Sequence, residues 1–203
     1  MIIIGITGII GSGKTTVSNI LRGSGVTVID LDALAKKATA LNEVQEEIAG
    51  RLGREYIVNG KPAIEKIRDL VFMDRAQLRL LENIIHPRVR ENLRKEINKN
   101  RKEGKGFIII DGPLLYETDL HKSVDKIIVV SAETEKIKER LRIRGLTDSD
   151  MDRRMSNQIP LKEKEKRADI VIFNNGTKED LEKEVEGLLR RIKEWEVRAD
   201  APK

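Results

Sequence analysis

Ile2-Ile3-Ile4-Gly5-Ile6-Thr7-Gly8-Ile9-Ile10-Gly11-Ser12-Gly13-Lys14-Thr15-Thr16 follows the first methionine and decides the fold. An apolar run of strand character passes directly into G-x-x-x-x-G-K-[ST], matched by Gly8 to Thr15, and a helical pattern comes next. Gly8, Gly11 and Gly13, with Ser12 among them, let backbone N–H groups converge on phosphate oxygens. The start of the following helix adds partial positive charge. Lys14 is placed to bridge β- and γ-phosphates and the Thr15 hydroxyl to ligate Mg²⁺, while Thr16 completes the nucleotide-binding set. The loop therefore predicts a nucleoside triphosphate and Mg²⁺ as its ligands.

Outward from this loop, short β-branched runs alternate with long amphipathic stretches, the pattern of an α/β fold with a mainly parallel sheet. The candidate strands are Ile2-Thr7, Val26-Ile29, Phe107-Ile110, Lys126-Val130 and Ile170-Phe173, each apolar enough to be buried on both faces. The first helix starts near Gly13 and stops at Gly23-Ser24-Gly25, a C-cap and turn. Between the second and third strands, Leu31 to Gly106 reads as a helical insert. Its helices are expected over Leu41-Leu52, Pro62-Phe72 and Ala76 to about Arg101, with Pro62 at a helix start and Asn59-Gly60 as a turn. From Glu133 a helix carries Arg140 and Arg144, four apart and so on one face; Gly145 interrupts it, and a polar, basic stretch runs from Asp148 to Arg167. The last helix, Lys178 to about Val197, alternates Glu and Lys and reads as a solvated outer helix.

Composition narrows the class. At 203 residues the chain suits one compact domain with room for a small inserted subdomain. Hydrophobic residues reach 39% but aromatics only 3%, so the core must be aliphatic. The absence of cysteine excludes disulfides, thiolate metal sites and cysteine nucleophiles. No apolar stretch approaches a membrane span, and the first residues lack a basic region and cleavage site, so a cytoplasmic protein without membrane partners is expected. Charged residues at 36% lean towards a thermophilic source, although long solvated helices give the same composition. The formal charge of +5 suits an anionic partner, a nucleic acid or a phosphorylated small molecule.

A signalling GTPase would carry N-K-x-D after a strand; the Asn98-Lys99 pair continues Asn100-Arg101 inside a helical stretch. The compact size, the helical insert and the late arginines instead describe a small-molecule kinase, in which an Arg-bearing lid stabilises charge and excludes water. Carboxylates ending the second strand face the ligand crevice of a parallel sheet. Asp32 can accept or orient the proton of an attacking hydroxyl, and Asp30 can equally cap the next helix. Asp111 follows a run of apolar residues, as an aspartate holding Mg²⁺ does, or it caps a turn.

Taken together, Gly5-Thr15, Ile29-Asp32, His86-Pro87, Asp111-Glu117 (DGPLLYE), Arg140 and Arg144, Arg154-Gln158 (RMSNQ) and Ala168-Gly176 (ADIVIFNNG) resemble the dephospho-coenzyme A kinase family, in order and across nearly the whole chain. The resemblance implies a P-loop kinase with a five-stranded mainly parallel sheet flanked by helices, a helical acceptor-binding insert and an Arg-rich lid. It puts the core at about 1–31, 106–140 and 168–203, the insert at about 32–105 and the lid at about 140–167. It implies ATP-dependent phosphorylation of the ribose 3′-hydroxyl of dephospho-coenzyme A, the last step of coenzyme A synthesis. Position by position, Asp32 matches the base beside that hydroxyl, and Pro113, Leu114 and Glu117 match the acceptor-side loop. Arg140 matches the lid arginine at the transferring phosphate, with Arg144 on the same helix face as a second candidate for phosphate contact; Asn174 and Gly176 match the loop near the nucleotide base, and His86 the acceptor domain's His-Pro pair. From the residues alone, Pro87 can start a helix with His86 a satisfied half-buried neighbour, and Arg142, Arg153 and Arg167 can form a solvated face.

The family's acceptor domain carries an acidic-Gly turn followed by a Leu-Asp/Asn-Arg segment; this chain reads Val58-Asn59-Gly60-Lys61-Pro62-Ala63-Ile64-Glu65-Lys66, with Lys66 or Arg68 to substitute for the arginine. A kinase of another small hydroxyl or nucleotide acceptor is therefore the alternative within the class. A nucleic-acid-associated P-loop ATP-binding protein is the alternative outside it, opposed by the scarcity of stacking aromatics. The expected partner is a small-molecule acceptor, not a nucleic acid, and the expected state a monomer or weak homo-oligomer.

Overall fold

The computed structural model describes residues 1–58 and 60–200, with side chains described for all but residues 68, 72, 73, 75 and 198–200. Asn59 of the expected turn, the Arg68 side chain and residues 201–203 of the expected core lie outside the described residues. The chain divides into two compact units, Met1–Ile29 with Asn100–Lys203, and Asp30–Lys99.

Its elements in chain order are β1 (Ile2–Gly8), α1 (Lys14–Gly23), β2 (Val28–Asp30), α2 (Leu31–Thr39), α3 (Asn42–Arg51), β3 (Ile57–Val58), β4 (Lys61–Pro62), α4 (Ile64–Met73), α5 (Arg75–Lys102), β5 (Phe107–Asp111), β6 (Lys126–Ser131), α6 (Thr134–Ile143), α7 (Asp148–Ser156), α8 (Leu161–Lys166), β7 (Ile170–Phe173) and α9 (Lys178–Asp200). The main sheet has the order β2-β5-β1-β6-β7. The pairings of β1 with β5 and β6, and of β6 with β7, are parallel. Both faces are covered, which is why these strands read as continuous apolar runs. On one face Ile4 and Ile6 of β1, Ile109, Ile128, Val130 and Ile172 pack with Val17 and Leu21 of α1 and with Leu181, Val185, Leu188 and Ile192 of α9. On the other, Ile127 and Val129 pack with Tyr116, Ile159 and Leu161.

Local chemistry sets the boundaries. Gly25 adopts φ 82°, its N–H donates to the Arg22 carbonyl at 3.0 Å, and the Val26 N–H donates to the Leu21 carbonyl at 3.0 Å. This closes α1 at the expected cap. It also engages Val26 in the cap, so β2 begins at Val28 and not at Val26. Asp30 ends β2 and its Oδ1 accepts from the Ala33 N–H at 3.1 Å, an N-cap that starts α2 immediately.

In the unit Asp30–Lys99, Val44, Ile48, Ile67 and Ile84 form a separate aliphatic core. One expectation fails there. Pro62 does not start a helix: it pairs with Ile57 in the β3–β4 ribbon, whose outer edge needs no N–H from it, and α4 begins at Ile64. Pro87 lies inside α5, which is the helix expected over Ala76 to about Arg101, although it offers the Asn83 carbonyl no N–H; the alternative in which Pro87 starts a helix is not the one seen.

The other unit refines one reading and overturns another. The Asp148–Arg167 stretch is two helices, α7 and α8, because residues 157–160 leave the helical path and Pro160 precedes α8. The last helix is not merely solvated, since Leu181, Val185, Leu188 and Ile192 form a stripe that is 4% exposed or less. Among the described residues no helix is long and apolar enough to cross a membrane.

This stripe predicts that Val185→Ala or Ile192→Ala costs about 1–4 kcal/mol in denaturant-induced unfolding. Glu184→Ala on the exposed face stays within about 0.5 kcal/mol of the parent.

Candidate active site

β1 occupies the middle of the sheet, flanked by β5 and β6. The chain passes from β1 beyond β5 to β2, and later from β5 across β1 to β6, so the strand order reverses beside β1. Open parallel sheets bind ligands at the carboxyl ends of their strands at such a point.

The loop leaving β1 is a phosphate cradle. The Ser12 N–H donates to the Ile9 carbonyl at 3.1 Å, and the Thr16 and Val17 N–H groups to the Gly13 carbonyl at 2.9 and 3.2 Å. The N–H groups of Gly11, Gly13, Lys14 and Thr15 meet no carbonyl acceptor among the described residues. Donors at the start of a helix, on its positive end, suit an anion.

The loop's carbonyl side is tied down. Asn174, 7% exposed, donates through Nδ2 to the Ser12 carbonyl at 2.9 Å. Arg140 reaches from α6 with Nη1 at 3.5 Å from both the Gly11 and Ser12 carbonyls. Its Nη2 donates to the Asn174 carbonyl at 2.8 Å and to Asn174 Oδ1 at 3.3 Å. Two glycines make this approach possible. Gly11, at φ 82°, would put a Cβ 2.9 Å from Ile137 Cγ2, and Gly13, at φ 95°, would drive one into Asn174 Nδ2.

Lys14 forms an ion pair with Asp111, whose side chain is 4% exposed. Thr15 and Thr16 stand exposed on the first turn of α1. Among the described residues no group of three or more His, Cys, Asp or Glu side chains could hold a metal ion. The oxygen donors of Thr15 and Asp111 match the other arrangement, a hard cation held by one or two protein groups together with phosphates and water.

The loop after β5 is fixed from several sides. The Pro113 carbonyl accepts from Thr7 Oγ1 at 3.1 Å and from Lys164 Nζ at 2.8 Å. Leu114 is 40% exposed. Glu117 is turned towards α8: its Oε1 accepts from Lys164 Nζ at 2.9 Å and from the Ile159 N–H at 2.8 Å. Lys164 is fully buried. Burial pushes its ammonium below the ordinary lysine range, Glu117 opposes the shift, and the charge of Lys14 adds to it. Tyr116 is buried with its hydroxyl unpartnered; desolvation raises its phenol above the usual value, against the pull of Arg167, whose guanidinium lies 5.7 Å from the ring centre.

The structure thus brings together Gly8, Gly11, Ser12, Gly13, Lys14, Asp111, Arg140 and Asn174. Gly176 lies just beyond, beside Asp180. It does not bring Arg144 onto the loop with Arg140: Arg144 is the exposed C-cap of α6, where the helix ends before a shared face can be completed. Arg142 pairs with Asp148 at 3.1 Å and Arg153 with Asp150, both on exposed surfaces. In the other unit, Asp32 is exposed on the first turn of α2 and His86 is half-buried within α5.

Lys164 and Gln158, whose Oε1 accepts from the Ile10 N–H at 3.0 Å, are absent from the sequence reading of the site. Gln158 stood in a quoted motif without a role. For Lys164 the one available signal was its spacing three residues after Leu161, and a run rich in Lys and Glu conceals it.

The sequence profile of the family described as Dephospho-CoA kinase matches residues 2–180. A dephospho-CoA kinase of Fusobacterium nucleatum is 39% identical over 194 residues, 95% of this chain and 99% of the relative. Among solved structures, TT1252 from Thermus thermophilus superposes with a TM-score of 0.81 at 38% identity, covering 94% of this chain and 97% of that one. A dephospho-CoA kinase from Campylobacter jejuni gives 0.72 at 25% identity, covering 94% and 96%.

The double role of Asn174 predicts that Asn174→Ala, losing hydrogen bonds on the buried side of the loop, weakens nucleoside triphosphate binding about tenfold in titration calorimetry. Asn175→Ala, which leaves the Ser12 carbonyl partnered, changes that affinity less than about threefold.

Proposed function

Since this chain belongs to the dephospho-CoA kinase family, we propose that its Gly8–Thr15 cradle, Lys14 and Asp32 carry out the transfer of a phosphoryl group from ATP to dephospho-coenzyme A. The enzyme phosphorylates the acceptor's ribose 3′-hydroxyl and yields coenzyme A and ADP. The observation that carries the reading is the cradle itself, with outward N–H groups and the Lys14–Asp111 pair at the reversal point of the sheet, in a chain matched to the family over residues 2–180.

Little covalent chemistry falls to the protein. The N–H groups of Gly11, Gly13, Lys14 and Thr15 bind the phosphates, and Lys14 brings positive charge to the β- and γ-phosphates. Arg140 fixes the loop from behind and adds a second cation beside it. Arg144, exposed at the end of α6, reaches towards the nucleotide as a side chain from the 140–167 lid. Thr15 and Asp111 supply oxygen donors that fit Mg²⁺, which when bound neutralises charge on the β- and γ-phosphate oxygens. Asp32 orients the 3′-hydroxyl and takes its proton as the oxygen attacks the γ-phosphorus and the bond to the β–γ bridging oxygen breaks. Pro113 and Leu114 line the acceptor side, and the insert of about 32–105, with His86, holds the rest of the acceptor. Asn174 and Gly176 belong to the loop beside the base. The enzyme works on a small molecule, as a monomer or weak homo-oligomer in the cytoplasm.

The deciding assay offers ATP–Mg²⁺ with dephospho-coenzyme A, adenosine and AMP as competing acceptors. Selective turnover of dephospho-coenzyme A is expected; activity on another acceptor alone overturns the acceptor reading and moves attention to the 59–68 segment. Lys14→Ala is expected to cut turnover by roughly two to four orders of magnitude through loss of charge stabilisation. Asp32→Asn is expected to lower kcat by roughly two orders of magnitude or more with ATP affinity preserved. Collapse of ATP binding in that variant would instead assign Asp32 to the nucleotide or metal site.

A further inference from the structure

Lys164 is a fully buried lysine with no role in the chemistry described above. Taking an ammonium out of water costs several kcal/mol unless partners compensate. Its partners here are specific. Nζ donates to Glu117 Oε1 at 2.9 Å and to the Pro113 carbonyl at 2.8 Å. The same Glu117 oxygen accepts from the Ile159 N–H at 2.8 Å, which ties the 157–160 link between α7 and α8 to the loop after β5. One residue earlier, Gln158 Oε1 accepts from the Ile10 N–H of the cradle at 3.0 Å. The stretch from Gln158 to Lys164 therefore touches the phosphate loop at one end and the 113–117 loop at the other. Pro113 itself stands two residues after Asp111, the partner of Lys14.

We propose that Lys164 and Gln158 are positioning residues that brace the acceptor-side loop against the phosphate cradle, so that the reacting groups meet at a fixed spacing. The proposal rests on the reading of Pro113–Glu117 as the acceptor-side loop. It also gives Glu117 a different part from that implied by the family resemblance. Glu117 acts through Lys164 and Ile159, and the acceptor meets the loop at the exposed Leu114 and at backbone held by the Pro113 carbonyl. A plain structural staple would cost stability when cut and leave the kinetics of the folded enzyme alone. A brace between two substrate loops has another signature: a small displacement at either loop is felt in turnover, because phosphoryl transfer depends on alignment.

Lys164→Met keeps the length of the stem and removes the donors. Its steady-state kinetics below its melting temperature are expected to show KM for dephospho-coenzyme A raised about tenfold and kcat lowered about tenfold, with KM for ATP changed less than about threefold. Gln158→Ala is expected to shift the balance towards ATP, raising its KM by about threefold to tenfold. Lys162→Ala, whose side chain is 83% exposed, serves as the control and leaves both constants unchanged. Amide hydrogen exchange on the same Lys164→Met protein is expected to speed up about tenfold across residues 113–117 and to stay constant across α1. Wild-type KM and kcat with unchanged exchange at 113–117 would overturn the proposal, as would a lower melting temperature with full kinetic competence once folded. If Lys164→Met does not fold, Glu117→Gln keeps an acceptor for Ile159 and removes the charge facing Lys164. The same KM shift in that variant, smaller in size, with faster exchange at 113–117 supports the brace; a KM shift with unchanged exchange makes Glu117 a direct ligand and sinks it. A wild-type protein that leaves dephospho-coenzyme A unphosphorylated overturns the acceptor reading, and the exchange data then decide the brace without it.

Discussion

A peptide group cannot aim its N–H at a phosphate without aiming its carbonyl the other way, and the rest of this fold answers to that constraint. In the Gly8–Thr15 loop the Ser12 carbonyl, which shares its peptide with the Gly13 N–H, turns inward and the Gly11 carbonyl with it, where an unpartnered carbonyl would cost as much as a lost hydrogen bond. Arg140 and Asn174 meet them. To deliver Arg140, α6 must run under the loop, and Gly11 is open at that point because Ile137 and Leu141 fill the space a side chain would take. To deliver Asn174, β7 must end beside the loop, and its parallel pairing with β6, Ser131 opposite Phe173, places it there. The glycines thus serve the residues behind the loop as much as any ligand in front of it.

Buried cations impose the second constraint. Lys14 and Lys164 both lie largely or wholly out of water, and each has its own carboxylate, Asp111 and Glu117. One carboxylate ends β5 and the other comes from the short stretch after it. The two lysines feel one another, since the charge of Lys14 is among the causes that lower Lys164. Removing one carboxylate therefore leaves a buried positive charge near another positive charge. Such pairs add little net stability against an apolar replacement, but breaking them is expensive. That combination tolerates little drift in geometry, which is the property a site for aligned transfer needs.

The legible and illegible parts of this chain divide along physical lines. Strand positions were readable because a strand buried on both faces must be apolar throughout, and Ile170–Phe173 was read to the residue. The phosphate loop was readable because its chemistry requires particular residues at fixed spacing. The edge of β2 was misread because Val26 looks like a strand residue, while its N–H completes the cap of α1. Pro62 was misread as a helix starter, and at Pro87 the same reading stood open beside a helix expected to run through it. A proline marks only a missing N–H and a fixed φ, and both a ribbon edge and the interior of a long helix can accept that. The stripe on α9 was hidden beneath a Glu and Lys pattern that belongs to its outer face. Lys164 was the least legible, because burial of a lysine depends on partners forty-seven or more residues away in sequence.

The loop after β7 carries the argument one step further. Asn174 faces Ser12, Asn175 Oδ1 accepts from the Glu133 N–H at 2.8 Å, and Thr177 exchanges hydrogen bonds with Asp180 at 3.0–3.2 Å. Gly176 has no side chain to offer, and a Cβ there would press on Asp180. Every side chain of the segment is engaged in holding the cradle, α6 or the start of α9. In the role proposed for it beside a nucleotide base, the segment would therefore present main chain, a surface set by backbone path and indifferent to side-chain identity. The side-chain pattern Asn-Asn-Gly then reports how the loop is held, and its bearing on the base is indirect.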